Sequence, residues 1–168
     1  MRLEEQSAKL SCGSAVYHPH HGIGKVQSVR DRNFDSGNDT KYTELYFQRE
    51  ALTLILPIQD AREMVRNPIN RAQARQILEH IESWEGRPSS QWKARAATNP
   101  EALDRGDPFE YAEVVKGLSR LEAESKLRQN DRGHLSHAMD FLADELSYAL
   151  GKTPDQVREL ITEAAKVP

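Results

Sequence analysis

The sequence predicts an α+β protein: a small antiparallel β-sheet or barrel over residues 1–58, then a compact all-α bundle of about five helices over residues 59–168. Three observations carry that prediction. Short runs rich in Val, Ile, Leu, Tyr, Phe and Thr alternate with turn residues as far as Ile58. From Asp60 onward the apolar residues recur every three to four positions, which is the period of a helix. Between the two patterns, near Gln59 to Asn70, the Pro-marked "NPIN" breaks the chain, with no low-complexity linker and no internal repeat.

The strands come first. "SAVYH", "GIGKVQSVRD", "TKYTELYFQ" and "ALTLILPI" are bounded by "CGS", "PHHG", "DSGND" and "RE". In the third run, Tyr42 and Tyr46 face one side while Thr43, Leu45 and Phe47 face the other. "QRE" is short enough to join the third and fourth strands as a hairpin. Four or five strands in so few residues imply a strongly bent sheet or a barrel.

The helices follow. "NRAQARQILEHIESW" sets Ala74, Ile77, Leu78 and Ile81 on one stripe. Asp107 is a natural N-cap with Pro108 at the first helical position, and Tyr111, Val114, Val115, Leu118 and Leu121 form the apolar face behind it. Leu135, Met139, Leu142, Leu146 and Leu150 repeat the logic until Gly151 stops the helix. Thr153 and Pro154 restart it, with Val157, Leu160, Ile161 and Ala164 turned inward.

Composition narrows the function classes. No apolar run approaches the roughly 20 residues of a membrane span, and the opening "MRLEEQSAKL" has acidic residues and no apolar core, so it does not read as a signal peptide. A single cysteine, Cys12, leaves no intramolecular disulfide or multi-cysteine zinc site. A cytoplasmic protein without a cofactor is expected. The net charge is −3, but residues 62–95 carry seven Lys/Arg against four Asp/Glu, whereas residues 134–168 carry three against six. Nucleic acid, if touched, therefore meets the middle of the chain. Catalysis is not expected, because there is no Gly-rich phosphate loop, no HExxH and no nucleophile elbow.

The stretch "YHPHHGIGKV" raises a metal question, with His18, His20 and His21 in four residues. His20 and His21 are neighbours on a turn and converge poorly on one ion, and no HExxH accompanies them. The better reading is strand, turn, strand, with Pro19 fixing φ while Gly22 and Gly24 supply turn or bulge geometry.

With those residues on the page, "CGSAVYHPHHGIGKVQSV" resembles the opening of the CarD/CdnL family of bacterial transcription regulators. The resemblance continues through "YTELYFQREALTLILPI", ending at Pro57, and through "SSQWKARA", "FEYAEVVKGLSRLEAE" and "LSHAMDFLADELSYAL". Order and spacing together are its specific part. It implies a Tudor-like barrel, shared with the transcription-repair coupling factor, that docks on the β subunit of RNA polymerase. It also implies a helical domain that meets promoter DNA at the upstream edge of the melted region, with a tryptophan as a minor-groove wedge. By position that wedge is Trp92, beside Lys93 and Arg95; Arg32 falls where relatives use a basic residue to meet polymerase, Arg30 lies near it, and Ile55 is the third expected polymerase contact. A monomer is implied as well.

The chain departs from the family pattern where charge matters. Ala94, Ala96 and Ala97 follow the tryptophan where relatives carry basic residues, and His134, His137 and Met139 stand at basic positions of a later helix. Ile55 stands where Arg or Lys is common. Each lost phosphate contact lowers affinity, so DNA binding is expected to be weak alone and to depend on tethering through polymerase. The alternative is a polymerase-binding adaptor, or an inhibitory paralogue, that no longer touches DNA.

Overall fold

In the computed structural model, which describes residues 2–3, 7–32 and 40–166, four strands precede six helices. The strands are β1 (Ala15–His18), β2 (Gly22–Arg32), β3 (Thr40–Phe47) and β4 (Leu52–Pro57). The helices are α1 (Ile58–Met64), α2 (Arg71–Ser83), α3 (Trp92–Arg105), α4 (Pro108–Ala123), α5 (Gln129–Leu150) and α6 (Pro154–Ala165). The "DSGND" turn signal lies outside the described residues. The chain divides into two compact units, Glu4–Pro68 and Ile69–Pro168, the latter joined by Met1–Leu3. The division falls later than residue 58 because α1 belongs with the sheet: Ala61 and Val65 are buried in its core.

In the first unit the strands form an antiparallel meander in the order β1-β2-β3-β4. Val16, Val26, Leu45 and Phe47 are fully buried on its inner face, with Leu52, Leu54 and Leu56 of β4 packed against them. Burying each such side chain contributes roughly 1.5–3 kcal/mol. A register shift between Val26 and Ser28 inserts one residue, so Val26 opposite Leu45 and Val29 opposite Thr43 both face inward despite lying three apart. That shift, not a glycine, is the bulge of the sheet.

The expected barrel is an open sheet among the described strands. β4 runs into Pro57, which has no N–H to donate and sends the chain into α1. The far edge of β1 is met by one residue instead of a strand: Tyr17 N–H donates to Arg66 O at 2.8 Å and Arg66 N–H to Tyr17 O at 3.0 Å. The Arg66 guanidinium lies 4.0 Å from the centre of the Tyr17 ring.

The turn at residues 19–21 has the shape the sequence implies, with the two glycines in different roles. Gly22, at φ 72°, supplies the left-handed residue that ends a three-residue hairpin loop. Gly24 is needed for space: a Cβ there would stand 2.6 Å from two atoms of the Phe47 ring. His18 and His21 pack on that ring as well. His18 is buried, its ring centre 4.5 Å from that of His21 and 5.8 Å from that of Phe47, while His21 Nδ1 meets Glu50 Oε2 at 2.7 Å. No group of three or more His, Cys, Asp or Glu that would hold a metal ion occurs among the described residues.

The second unit holds α2–α6. α4 is its most embedded element, with Phe109, Tyr111, Ala112, Val115, Leu118 and Leu121 among its buried residues. Asp107 caps it by accepting from Phe109 N–H at 2.9 Å. Asn70 with Gln73 and Thr153 with Gln156 form capping boxes on α2 and α6. Gly106 and Gly151 take left-handed conformations behind α3 and α5. The face of α5 is rotated from the expected one: Ala138, Phe141, Leu142, Ala143 and Leu146 are buried, while Leu135 and Met139 line an open groove with Leu127 and Ala165. Leu160 is exposed on α6. The Lys116 ammonium is buried and donates to Ala164 O and Lys166 O, closing the C-terminal end of α6. No helix is long and apolar enough to cross a membrane among the described residues.

Candidate functional site

Two surfaces carry the residues that the sequence singled out. The first is the outer face of the sheet. Pairing places Arg30 opposite Tyr42, which pairs in turn with Pro57, and places Ser28 opposite Glu44, which pairs with Ile55. Arg30 and Ile55 thus share one face on either side of β3, one step apart along the strands. Arg30 is exposed and Ile55 keeps 48% of its surface open; Tyr42, beside Arg30, and Tyr46, one step beyond the row of Ile55, are half-buried on the same face. Lys25, opposite Tyr46, adds a second exposed cation. Arg32 is the last residue of β2, and its side chain lies outside the described ones. The face joins aromatic and aliphatic area with cations at its β2 side, a mixture typical of protein-binding surfaces.

The alternation of β3 creates this face. Thr43, Leu45 and Phe47 turn into the core and leave Tyr42, Glu44 and Tyr46 outside. Neither tyrosine was singled out for binding from sequence, although their side of β3 was legible. Their position relative to Arg30 and Ile55 depends on the register across three strands.

The second surface is the start of α3. Trp92 is the first residue of the helix and is 48% exposed. Lys93 is exposed, with Nζ 5.8 Å from the indole centre, inside the range of a cation–π contact. Neither Ser89 nor Ser90 caps the helix. Gln91 is the N-cap without a side-chain bond, and its N–H donates to Ser89 Oγ at 3.2 Å within the preceding turn. Trp84, the other tryptophan, packs at the end of α2, where Gly86 leaves room for its ring and Arg120 Nη2 donates to its carbonyl at 2.9 Å.

Arg95 is the correction. It was expected to face a phosphate, yet only 3% of it is exposed. Its Nε and Nη2 donate to the two Asp131 carboxylate oxygens at 2.9 and 2.7 Å, and its Nη1 donates to Ser89 O at 2.7 Å and Ser90 O at 3.2 Å. All three guanidinium nitrogens are engaged inside the unit, which leaves almost none of the side chain at the surface. The hydrogen bonds from Arg95 hold the Asp131 carboxyl below its ordinary range against the opposing effect of burial, and Asp131 holds the Arg95 guanidinium above its own. Asp131 also accepts from Arg128 N–H at 3.0 Å within the first turn of α5, and the pair with Arg95 sets that turn beside the first turn of α3. Exposed Arg128 and Arg132 flank that aspartate. The Arg95–Asp131 pair spans 36 residues, and no local motif in either segment announces it.

Comparison with known proteins bears on both units. The model of the CarD-like/TRCF RID domain matches residues 10–69, and the model of the CarD C-terminal domain matches residues 76–162. Among curated proteins, "Putative transcription factor YdeB" of Bacillus subtilis (strain 168) is 25% identical over 147 residues, which cover 87% of this chain and 95% of that protein.

Proposed function

The chain belongs to the CarD-like family of RNA polymerase-binding transcription regulators, and from that premise we propose that it docks on the β subunit of bacterial RNA polymerase and stabilises the open promoter complex. Docking uses the outer face of the N-terminal sheet, with Arg30, Arg32 and Ile55 as contacts, in the place of the family's Tudor-like barrel. The helical unit meets promoter DNA at the upstream edge of the melted region through Trp92 and Lys93. One observation carries this reading: Trp92, the residue matching the family's wedge by position, leads a helix and keeps about half of its surface open to solvent. An apolar wedge of this kind exploits partly unstacked base steps, while a neighbouring cation holds a phosphate.

The charge balance fits a protein that is brought to DNA instead of finding it. With a net charge of −3 and Arg95 engaged internally, few phosphate contacts remain. Weak intrinsic affinity suffices once polymerase supplies a high effective concentration. The protein acts as a monomer in the bacterial cytoplasm, without cofactor, metal or catalytic step. The burial of Arg95 favours a second reading, a polymerase-binding adaptor or inhibitory paralogue that has lost its DNA contact, since it removes one of three expected DNA-facing residues.

The test is promoter-complex lifetime with purified bacterial polymerase holoenzyme, comparing no factor, wild type and Trp92→Ala. Lengthening by wild type that Trp92→Ala loses while still binding polymerase supports the wedge. Binding without any change in lifetime favours the adaptor. A chain that fails to bind polymerase at all sinks both readings.

A further inference from the structure

We propose that Arg95 and Asp131 form a buried clamp that sets the pose of Trp92, so that the indole is presented by charge pairing and not by apolar packing. The first ground is how little else holds this part of the helix. Along the 14 residues of α3 only Arg95 and Leu103 are buried, and Leu103 lies near the far end. The N-terminal half therefore has no apolar anchor comparable to the buried stripe of α4.

The second ground is what the clamp grips. Arg95 ties three pieces together: its own helix one turn below Trp92, the carbonyls of Ser89 and Ser90 in the entering turn, and Asp131 in the first turn of α5. Asp131 in turn accepts from Arg128 N–H. The segment before Trp92 and the helix after it are thus fastened to one carboxylate. One turn further along, Asn99 Nδ2 and His134 Nδ1 are buried with no hydrogen-bond partner among the described residues, so no grip comparable to that of Arg95 is seen there. Arg95 is a positioning residue. Removing either partner leaves the other charge buried and uncompensated, which is the costly way to break such a pair.

The effect of the clamp on transcription rests on the wedge reading of Trp92, but the clamp itself is read separately. In a Trp84→Phe background Trp92 is the only tryptophan of the chain. Acrylamide quenching of its emission is measured for Arg95→Gln, Asp131→Asn and the apolar double variant Arg95→Met with Asp131→Leu. The double variant keeps volume without charge and is chosen to stay folded if the single variants do not. Helical circular dichroism monitors folding, and polymerase binding is the control in each case.

Every folded variant is expected to change Trp92 quenching, and Arg95→Gln and Asp131→Asn are each expected to shorten promoter-complex lifetime about tenfold, the scale set by losing a charge-assisted hydrogen bond. A direct phosphate contact by Arg95 predicts the opposite for Asp131→Asn: the freed cation would lengthen the lifetime, and that result overturns the clamp. Wild-type quenching in the folded double variant overturns it too. If Trp92→Ala leaves lifetime unchanged while the clamp variants still alter quenching, the clamp stands and the wedge reading fails.

Discussion

At the scale of single residues, chemistry legible in the sequence was redirected by burial. His18 shows this most plainly. Burial first, then the nearby His21 and His20, push its pKa down from 6.5 to about 4, while Glu50 acts the other way. His20 N–H donates to His18 Nδ1 at 3.0 Å, a bond that only the unprotonated nitrogen accepts. In the unfolded chain the ring takes its proton near its ordinary value, so between the two pH values the unfolded state binds the extra proton. The stability conferred by the neutral ring is therefore complete above pH 6.5 and is lost as pH falls toward 4. Urea unfolding across that window should show a slope of up to about 1.4 kcal/mol per pH unit from this group. His18→Gln should flatten the profile, and an unchanged slope would mean the ring is not held neutral. Arg95 was redirected in the same way: a basic residue beside an expected DNA contact reads as a phosphate ligand until its partner 36 positions away is known.

At the scale of elements, what was legible divides between ends and faces. The helix ends were written locally. Asp107 with Pro108, Thr153 with Pro154 and Gly151 all act where the sequence placed them, because a cap depends on a side chain and backbone groups two or three residues away. Asp107→Ala should cost about 1 kcal/mol of stability through the lost cap on α4. Thermal unfolding followed by circular dichroism checks this, and a cost near zero would show that water replaces the carboxylate. The faces were less certain. β3 turned its residues as expected, since alternation admits only two choices and Leu45 and Phe47 decide between them. In α5 the packed face drifted from the leucine stripe toward Ala138, Phe141 and Ala143, small or flat residues that allow close approach. Periodicity marks that a helix is amphipathic, and neighbours choose which part of the stripe is covered.

At the scale of the whole molecule, each of the two units has its own core: the sheet packs around Leu45 and Phe47, the helices around Tyr111, Leu118 and Leu142. Residues 69–168 expressed alone should therefore keep their helical circular dichroism and melt cooperatively, and a broad, non-cooperative melt would show that the helices do not fold by themselves. By itself the sequence determined the α+β class, the change of period near residue 60, the helix caps, the hairpin at Pro19–Gly22 and the family resemblance. These rest on interactions within a few residues, or on the order of motifs along the chain. Only the tertiary structure decided that the sheet stays open behind Arg66, that Gly24 makes room for Phe47, that Arg30 and Ile55 flank Tyr42 and Glu44 on one face, and that Arg95 is locked to Asp131. Each of those is a contact between segments distant in sequence. Whether a charged side chain meets solvent or a buried partner is set by packing, which composition and spacing do not encode.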